Sequence, residues 1–195
     1  MKSTELLLLA VAALVAGCAG APIPAAQANT PADFFPLAVG NSWTYLDQSP
    51  SLPKGGVSAR RTVRILERTA DGFFRDSERG ELRAGPDCLR DRMRQLLCAP
   101  FEVGNRWTST VSLTSTERYE IAAVGETVTT PAGTFKGCVR VRAHNKAQGG
   151  MDHVLEMTYA PGVGPVRIET YALLDGKATP QVRAVLQAYQ VGERR

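Results

Sequence analysis

The sequence predicts an all-β domain behind an exported N-terminal segment, on three observations. Gly and Pro, 18 and 12 in 195 residues, punctuate the chain at short intervals with no collagen period and no low-complexity block. The runs between them, roughly six to twelve residues long, are rich in Val, Thr, Tyr, Phe and Ile, which suit a pleated, half-buried surface. Only one long apolar run exists, at the very start, which excludes a bundle of membrane-spanning helices. With 44% hydrophobic and 22% charged residues the chain is not disordered by composition. Its length suits one domain.

Residues 1–17 read MKSTELLLLAVAALVAG, a short polar start with Lys2 followed by an apolar run over 6–16. This is the pattern of a secretory signal, too short to span a bilayer comfortably. It ends in Val15-Ala16-Gly17-Cys18, which resembles the lipobox of bacterial lipoproteins. The resemblance implies cleavage before Cys18, a diacylglycerol on its sulfur and a further acyl chain, such as palmitate, on its new amino group. At about 0.8 kcal/mol per buried methylene, three chains make a stable anchor where one would not. Glu5 departs from the purely positive start such signals carry. Ala19 stands where the inner-membrane retention signal of enteric bacteria has Asp, which implies the periplasmic face of the outer membrane over the inner membrane. Loss of Lys2 and Glu5 removes one residue each from 23 basic and 19 acidic ones, so the net charge of +4 is kept. That mild excess is the charge of a solvated face, with a secondary leaning toward anionic headgroups. Export makes nucleic acid an unexpected partner. Residues 19–32, AGAPIPAAQANTPA, have no charge and no periodicity. They read as a tether of at most about 45 Å, with the domain at 33–195.

Strands are expected at 42–47, 58–68, 72–78, 107–113, 118–124, 127–130, 137–144, 153–160, 166–174 and 182–191. In the last, Val182, Ala184, Leu186 and Ala188 alternate with Arg183, Gln187 and Tyr189, as one buried face requires. Turns are expected at 53–56, 71–72, 79–80, 85–86, 131–133, 149–150, 161–162 and 175–176. Residues 88–97, CLRDRMRQLL, admit two readings. A helix places Leu89, Met93 and Leu96 on one face but separates the flanking cysteines by ~15 Å, beyond disulfide reach. A hairpin turning near Asp91 places Cys88 opposite Cys98, and the β surroundings favour it.

The segment 36–44, PLAVGNSWT, recurs at 100–108 as PFEVGNRWT. Each copy reads physically as a loop pinned by Pro and an apolar residue, a Gly-Asn turn with positive φ (Gly40-Asn41, Gly104-Asn105), and a Trp (Trp43, Trp107) that opens a strand with its ring buried. Two copies suggest two related meander halves within one domain. Pro131 and Gly133 fit a turn between strands. Pro161 and Gly162 suit a type II turn, and Gly164 a close backbone approach. Val163-Gly164 is no phosphate cradle, since it lacks both the GxGxxG pattern and a following helix.

FPLAVGNSWTY near the start of the domain, PFEVGNRW, ETVTTPAGTFKGCVRV over 126–141 and YAPGVGPVR over 159–167 resemble a widespread group of uncharacterised bacterial secreted proteins and lipoproteins. The resemblance implies a curved, mostly antiparallel sheet of about 9–12 strands, a half-barrel or sandwich. By fold analogy it is similar to the carriers of the LolA and LolB type. It implies no activity, and fold does not fix function.

Cys88, Cys98 and Cys138 remain in an exported domain, enough for one bridge and one leftover thiol. Cys88–Cys98 is the first choice, and pairing of Cys138 with either is the alternative. In GCVRVR, Cys138 shares a side with Arg140 and not with Val139 and Val141. No Cys-x-x-Cys spacing exists. His144, His153 and Asp152 flank one loop and could face each other across a hairpin, but strand-end histidines are ordinarily solvated, so no metal and no cofactor are expected. No Ser lies in Gly-x-Ser-x-Gly, and no carboxylate pair stands out. The functional expectation is a non-enzymatic, membrane-anchored envelope module of interaction or maintenance, partnered by the membrane through its lipid and by other envelope proteins. The alternative is a carrier or sensor for an apolar, lipid-like ligand in the concave face, with Phe73, Trp107, Tyr119, Tyr159 or Tyr171 lining the pocket. An envelope hydrolase ranks third.

Overall fold

The computed structural model describes residues 28–49, 59–146 and 151–192. The signal segment, Cys18, most of the tether and the turns at 53–56 and 149–150 lie outside the described residues. One short helix, α1 (Pro31–Phe34), precedes twelve strands. They are β1 (Ser42–Gln48), β2 (Ala59–Arg68), β3 (Phe74–Asp76), β4 (Glu81–Ala84), β5 (Cys88–Arg90), β6 (Gln95–Cys98), β7 (Arg106–Ser112), β8 (Ser115–Thr130), β9 (Gly133–Lys146), β10 (Asp152–Ala160), β11 (Gly164–Leu174) and β12 (Lys177–Gln190). All pair antiparallel in a single sheet of order β6-β5-β4-β3-β2-β1-β12-β11-β10-β9-β8-β7. Every neighbouring pair is consecutive in sequence except β1 and β12. The fold is therefore two six-strand meanders, β1–β6 and β7–β12, zipped together by the first and last strands into a nearly closed, barrel-like sheet, the curved antiparallel sheet of about 9–12 strands that the sequence predicts.

The repeated sequence opens each half with the same hydrogen bonds. Gly40 N donates to Ile65 O and Ile65 N to Asn41 O, both at 2.9 Å; Gly104 N donates to Ile121 O and Ile121 N to Asn105 O, again at 2.9 Å. Asn41 Nδ2 donates to Pro36 O at 2.8 Å and Asn105 Nδ2 to Pro100 O at 2.9 Å. The two glycines hold φ of +92° and +90°, a region a side chain disfavours. The rings then diverge. Trp43 is buried, whereas Trp107, expected buried, is only half so.

Trp43 sits at the centre of the core. Its Nε1 donates to Val163 O at 2.6 Å, its ring meets Phe35 edge-on at 4.9 Å, and Tyr45 OH donates to Pro165 O at 2.9 Å. Gly162 (φ +71°) and Val163, whose N–H returns to Ala160 O, form the turn between β10 and β11. Gly162 N also donates to Asp33 O at 2.7 Å, so α1 holds the same turn. Asp33 accepts from Thr30 N at 2.9 Å and Thr30 Oγ1 at 2.7 Å, and Ala28 packs against the core. Pro31 and Ala32, read from sequence as tether, thus belong to the domain's first helical turn.

Several strand expectations shift. The candidates at 118–124 and 127–130 are one strand, β8, bent by register shifts after Ile121, Val124 and Glu126. These bulges change which residues face inward, and Cys138, expected beside Arg140, is wholly buried with its neighbour Val139. The short strand β4 has no apolar alternation to announce it. In β12 only Ala184 and Leu186 are buried, while Val182 is exposed and Ala188 is too. Residues 88–98 form the hairpin β5–β6. Cys88 and Cys98 are direct partners joined by a disulfide, and Cys138 is a free thiol.

Opposite the core, the long strands carry a row of direct cross-strand partners, Arg106, Glu120, Arg142, Glu156, Glu169 and Arg183. Glu156 and Glu169 face each other as like charges. Each is answered by arginine, Glu156 by Arg142 at 2.7 Å and Arg140 at 3.2 Å, Glu169 by Arg183 at 2.6 Å.

A Cβ at Gly164 would lie 2.8 Å from Phe35 and 3.2 Å from Trp43 Nε1, at a φ of +112°. Gly164→Ala is therefore expected to cost about 2–4 kcal/mol in urea unfolding. Gly40→Ala, whose Cβ meets nothing within 4 Å, should cost about 1 kcal/mol. Equal costs would contradict the close-approach account.

Candidate functional site

The sheet's two free edges, β6 and β7, meet without a backbone ladder between them. Side chains close the gap. Gln95 N donates to Ser109 Oγ at 3.0 Å, and Trp107 Nε1 donates to Gln95 O at 2.7 Å. Alternation along β8 aims Glu117, Tyr119 and Ile121 to one side, the core side. Glu117 is buried at 8% exposure and accepts from Arg94 Nε at 2.9 Å and from the Tyr119 hydroxyl. Arg94 also lies 3.6 Å from Asp91. Trp107 stacks on Tyr119 with centroids 5.6 Å apart and planes 10° from parallel.

Beside this seam the core gives way to a cavity of roughly 630 Å³, lined by Arg94, Leu96, Glu117, Tyr119, Ala143, Asn145, His153, Leu155, Thr170 and Gln181, among others. It falls in the size range of small-molecule sites. Burial, reinforced by the bond to Glu117, pushes the Tyr119 phenol far above its ordinary range, and the bond to Glu117 raises the Arg94 guanidinium as well. Tyr119 thus stays protonated as a donor, and one oxygen of Glu117 already carries two donors. The cavity offers amide, hydroxyl, imidazole and guanidinium groups around the apolar Leu96, Ala143 and Leu155. That chemistry suits a small polar or amphipathic guest. Among the described residues no group of three or more His, Cys, Asp or Glu is placed to hold a metal ion.

Of the aromatic residues expected to line a pocket, Tyr119 does so. Trp107 lies behind it in the seam, and Tyr159 is wholly buried in the core. Tyr171 lines a smaller space of roughly 270 Å³ with Arg142, His144, Glu156, Val154, Leu173 and Ala178. Phe73 is buried beneath the guanidinium groups of Arg83, Arg90 and Arg92, at 4.8, 5.5 and 3.9 Å from its centroid. His144 and His153 do not face each other. His144 pairs with Val154 and His153 with Asn145, which puts the imidazoles on opposite faces of the sheet. Pro131 and Ala132 form the two-residue connection from β8 to β9, ending at Gly133 with φ +135°. Sequence reasoning did not find Arg94 or Glu117. The available signal was a carboxylate two residues before Tyr119 and four before Ile121, on their face of a strand.

No protein-family model matches the chain, and no curated protein does. One solved structure, a candidate lipoprotein from Parabacteroides distasonis, is similar at 16% identity and a TM-score of 0.45, over 84% of this chain and 100% of that one.

Arg94→Ala leaves Glu117 with Tyr119 alone at a half-open seam. The expected loss is about 1–2 kcal/mol, below the full cost of splitting a buried pair because Arg94 is partly solvated, and urea unfolding measures it. The phenols of Tyr45, Tyr119 and Tyr159 are all raised, first by burial. A folded pKa above the unfolded one stabilises fully below about pH 10 and is lost as pH rises further. After a jump to strong alkali their phenolate absorbance should therefore appear with the rate of unfolding. Immediate ionisation of all five tyrosines would contradict the burial.

Proposed function

We propose that the protein is an acyl-anchored lipoprotein of the bacterial envelope, held at the periplasmic face of the outer membrane and working as a non-enzymatic interaction or maintenance module. The observation that carries this reading is the apolar run over 6–16 ending in Val15-Ala16-Gly17-Cys18, followed by an uncharged stretch that leads to the domain. The first described residues, from Ala28, pack on the barrel, so the domain would stand at a defined end of its tether. Cys18→Ser is expected to move the protein from the membrane pellet to the soluble fraction. Density separation of the wild-type membranes should place it with the outer membrane. Unchanged pelleting of the variant would overturn the anchor, and recovery with the inner membrane would overturn the address.

A second reading, a carrier or sensor, is favoured by the cavity beside the seam. Its mixed lining supports an amphipathic guest over the purely apolar one the sequence suggests. Organic extraction of protein purified from its native envelope should release a stoichiometric small molecule on this reading. An empty extract would leave the interaction module alone.

A further inference from the structure

The segment from β2 to β6 is dense in arginine, and some of its guanidinium groups are answered by carboxylates. Arg61 pairs with Asp47 and Glu78, Arg75 with Glu67 and Glu81, and Arg92 with Asp71 and Glu81. Arg60, Arg64, Arg68, Arg79, Arg83 and Arg90 have no carboxylate partner among the described residues, and of these Arg68 and Arg83 share one cavity. Arg68 lies over the ring of Phe74 at 5.7 Å and Arg83 over Phe73 at 4.8 Å. Among the described residues the one hydrogen bond from either guanidinium is a long one, Arg83 Nη1 to Asp71 O at 3.4 Å.

Both arginines line the same cavity of roughly 580 Å³, whose walls are Ala32, Pro36, Leu37, Phe74 and Ala84. They converge on Gly72, where an added Cβ would stand 3.8 Å from Arg68 Nη2 and 3.9 Å from Arg83 Cδ. Asp71 is the acid in the lining, and it is engaged by Arg92 and by Thr69 Oγ1 at 2.6 Å. The cavity thus joins two uncompensated guanidinium forks to an apolar wall. A fork matches the paired oxygens of a phosphate, and stacking on a ring pre-orients it. The position of the cavity narrows the source of that phosphate. Ala32 belongs to α1, and the chain leaves the described domain at Ala28, ten residues after Cys18. Ten residues span at most about 35 Å.

We propose that the Arg68–Arg83 cavity takes the headgroup phosphate of an anionic phospholipid in the membrane that holds the tether, with the glycerol against Leu37 and Phe74. The choice of membrane lipid rests on the lipoprotein reading. The tether then makes the contact intramolecular in effect, so a weak site suffices.

The test uses the full chain as its unacylated C18S variant, so that its outcome does not depend on whether Cys18 is acylated, which the fractionation experiment decides separately. Co-sedimentation is measured with phosphatidylcholine vesicles containing phosphatidylglycerol and with phosphatidylcholine alone. Binding is expected to the anionic vesicles only, weakened about tenfold or more in R68Q/R83Q. In R60Q/R64Q, which removes equal charge from exposed positions on the same strand outside the cavity, binding should be unchanged. Thermal melts of both double variants, whose changed side chains carry no ion pair among the described residues, check that the fold is kept. Equal loss in the two double variants would overturn the proposal in favour of diffuse charge attraction. Absence of vesicle binding would overturn it outright, as would displacement by inorganic phosphate at concentrations that match the vesicle-bound lipid, since the site would then be one for free phosphate.

Discussion

The fold depends on a side chain that is missing. Without a Cβ at Gly164, the indole of Trp43 and the ring of Phe35 reach the backbone of the β10–β11 turn, and Trp43 Nε1 takes the Val163 carbonyl. That contact joins residues 120 apart in sequence. Beside it, β1 pairs with β12, the one strand pair in the sheet not consecutive in the chain. A meander is otherwise built of local hairpins, each cheap in loop entropy, whereas joining its ends is costly. The indole, the Tyr45–Pro165 bond, the Gly162–Asp33 bond and the Gly192–Asn41 bond at 3.0 Å all act at this junction. Its stability concentrates where the entropy cost falls.

Joining β1 to β12 displaces the sheet's open edges to the middle of the sequence, between β6 and β7. Open edges invite pairing with other chains. Here the edges are answered by side chains: Trp107 and Ser109 to Gln95, Arg94 to Glu117. The repeated Gly-Asn-x-Trp entry therefore does two jobs. In the first half it drives an indole into the core; in the second it supplies the indole that caps the seam. The hydrogen bonds of the two turns are the same, so the difference comes from what lies beside each strand. β1 is ladder-paired on both sides, with β2 and β12, whereas β7 pairs with β8 alone and meets the short β6 on its other side through side chains. A seam closed by polar side chains cannot be filled as tightly as a ladder-bonded sheet, and the cavity follows from this.

Period-two alternation and Gly/Pro punctuation are local signals, and what they specify was legible. The strands at 42–48, 59–68, 106–112 and 152–160 and the turns at 131–133 and 161–164 stand close to where sequence reasoning puts them. The paired entry motifs likewise anticipate the two halves. What was not legible depends on register between distant strands. Cys138 looked outward because strict alternation was extended through a segment that β8 breaks with bulges. His144 and His153 looked like partners because they flank one loop, but an offset of one residue in β9–β10 pairing sends them to opposite faces. Arg94 and Glu117 meet across the seam, a contact set by closure of the barrel and invisible in either segment alone. Arg68 and Arg83 are ordinary surface arginines in sequence. Only their meeting at one cavity, a matter of three dimensions, separates them from neighbours such as Arg60 and Arg64, which also lack a carboxylate partner among the described residues.

The same junction that stabilises the barrel also orients it. Because α1 is bound to the β10–β11 turn through Gly162 and Asp33, and Phe35 is locked against Trp43 and Gly164, the chain enters the domain along a fixed path. Ala32, Pro36 and Leu37 on that path form a wall of the arginine cavity. A tether alone leaves a domain free to present any face to the bilayer. Under the proposed anchoring, a tether with a rigid entry point beside these two guanidinium groups would bias one face toward anionic headgroups at little cost, since the ring faces of Phe73 and Phe74 already hold the arginines. The seam cavity is lined from β6 and β8–β12, whereas the arginine cavity is walled by α1, β4 and the β2–β3 turn, so a bilayer at the second site need not cover the first. On the proposed reading, anchor, orientation and binding space would thus fall to separate parts of the chain.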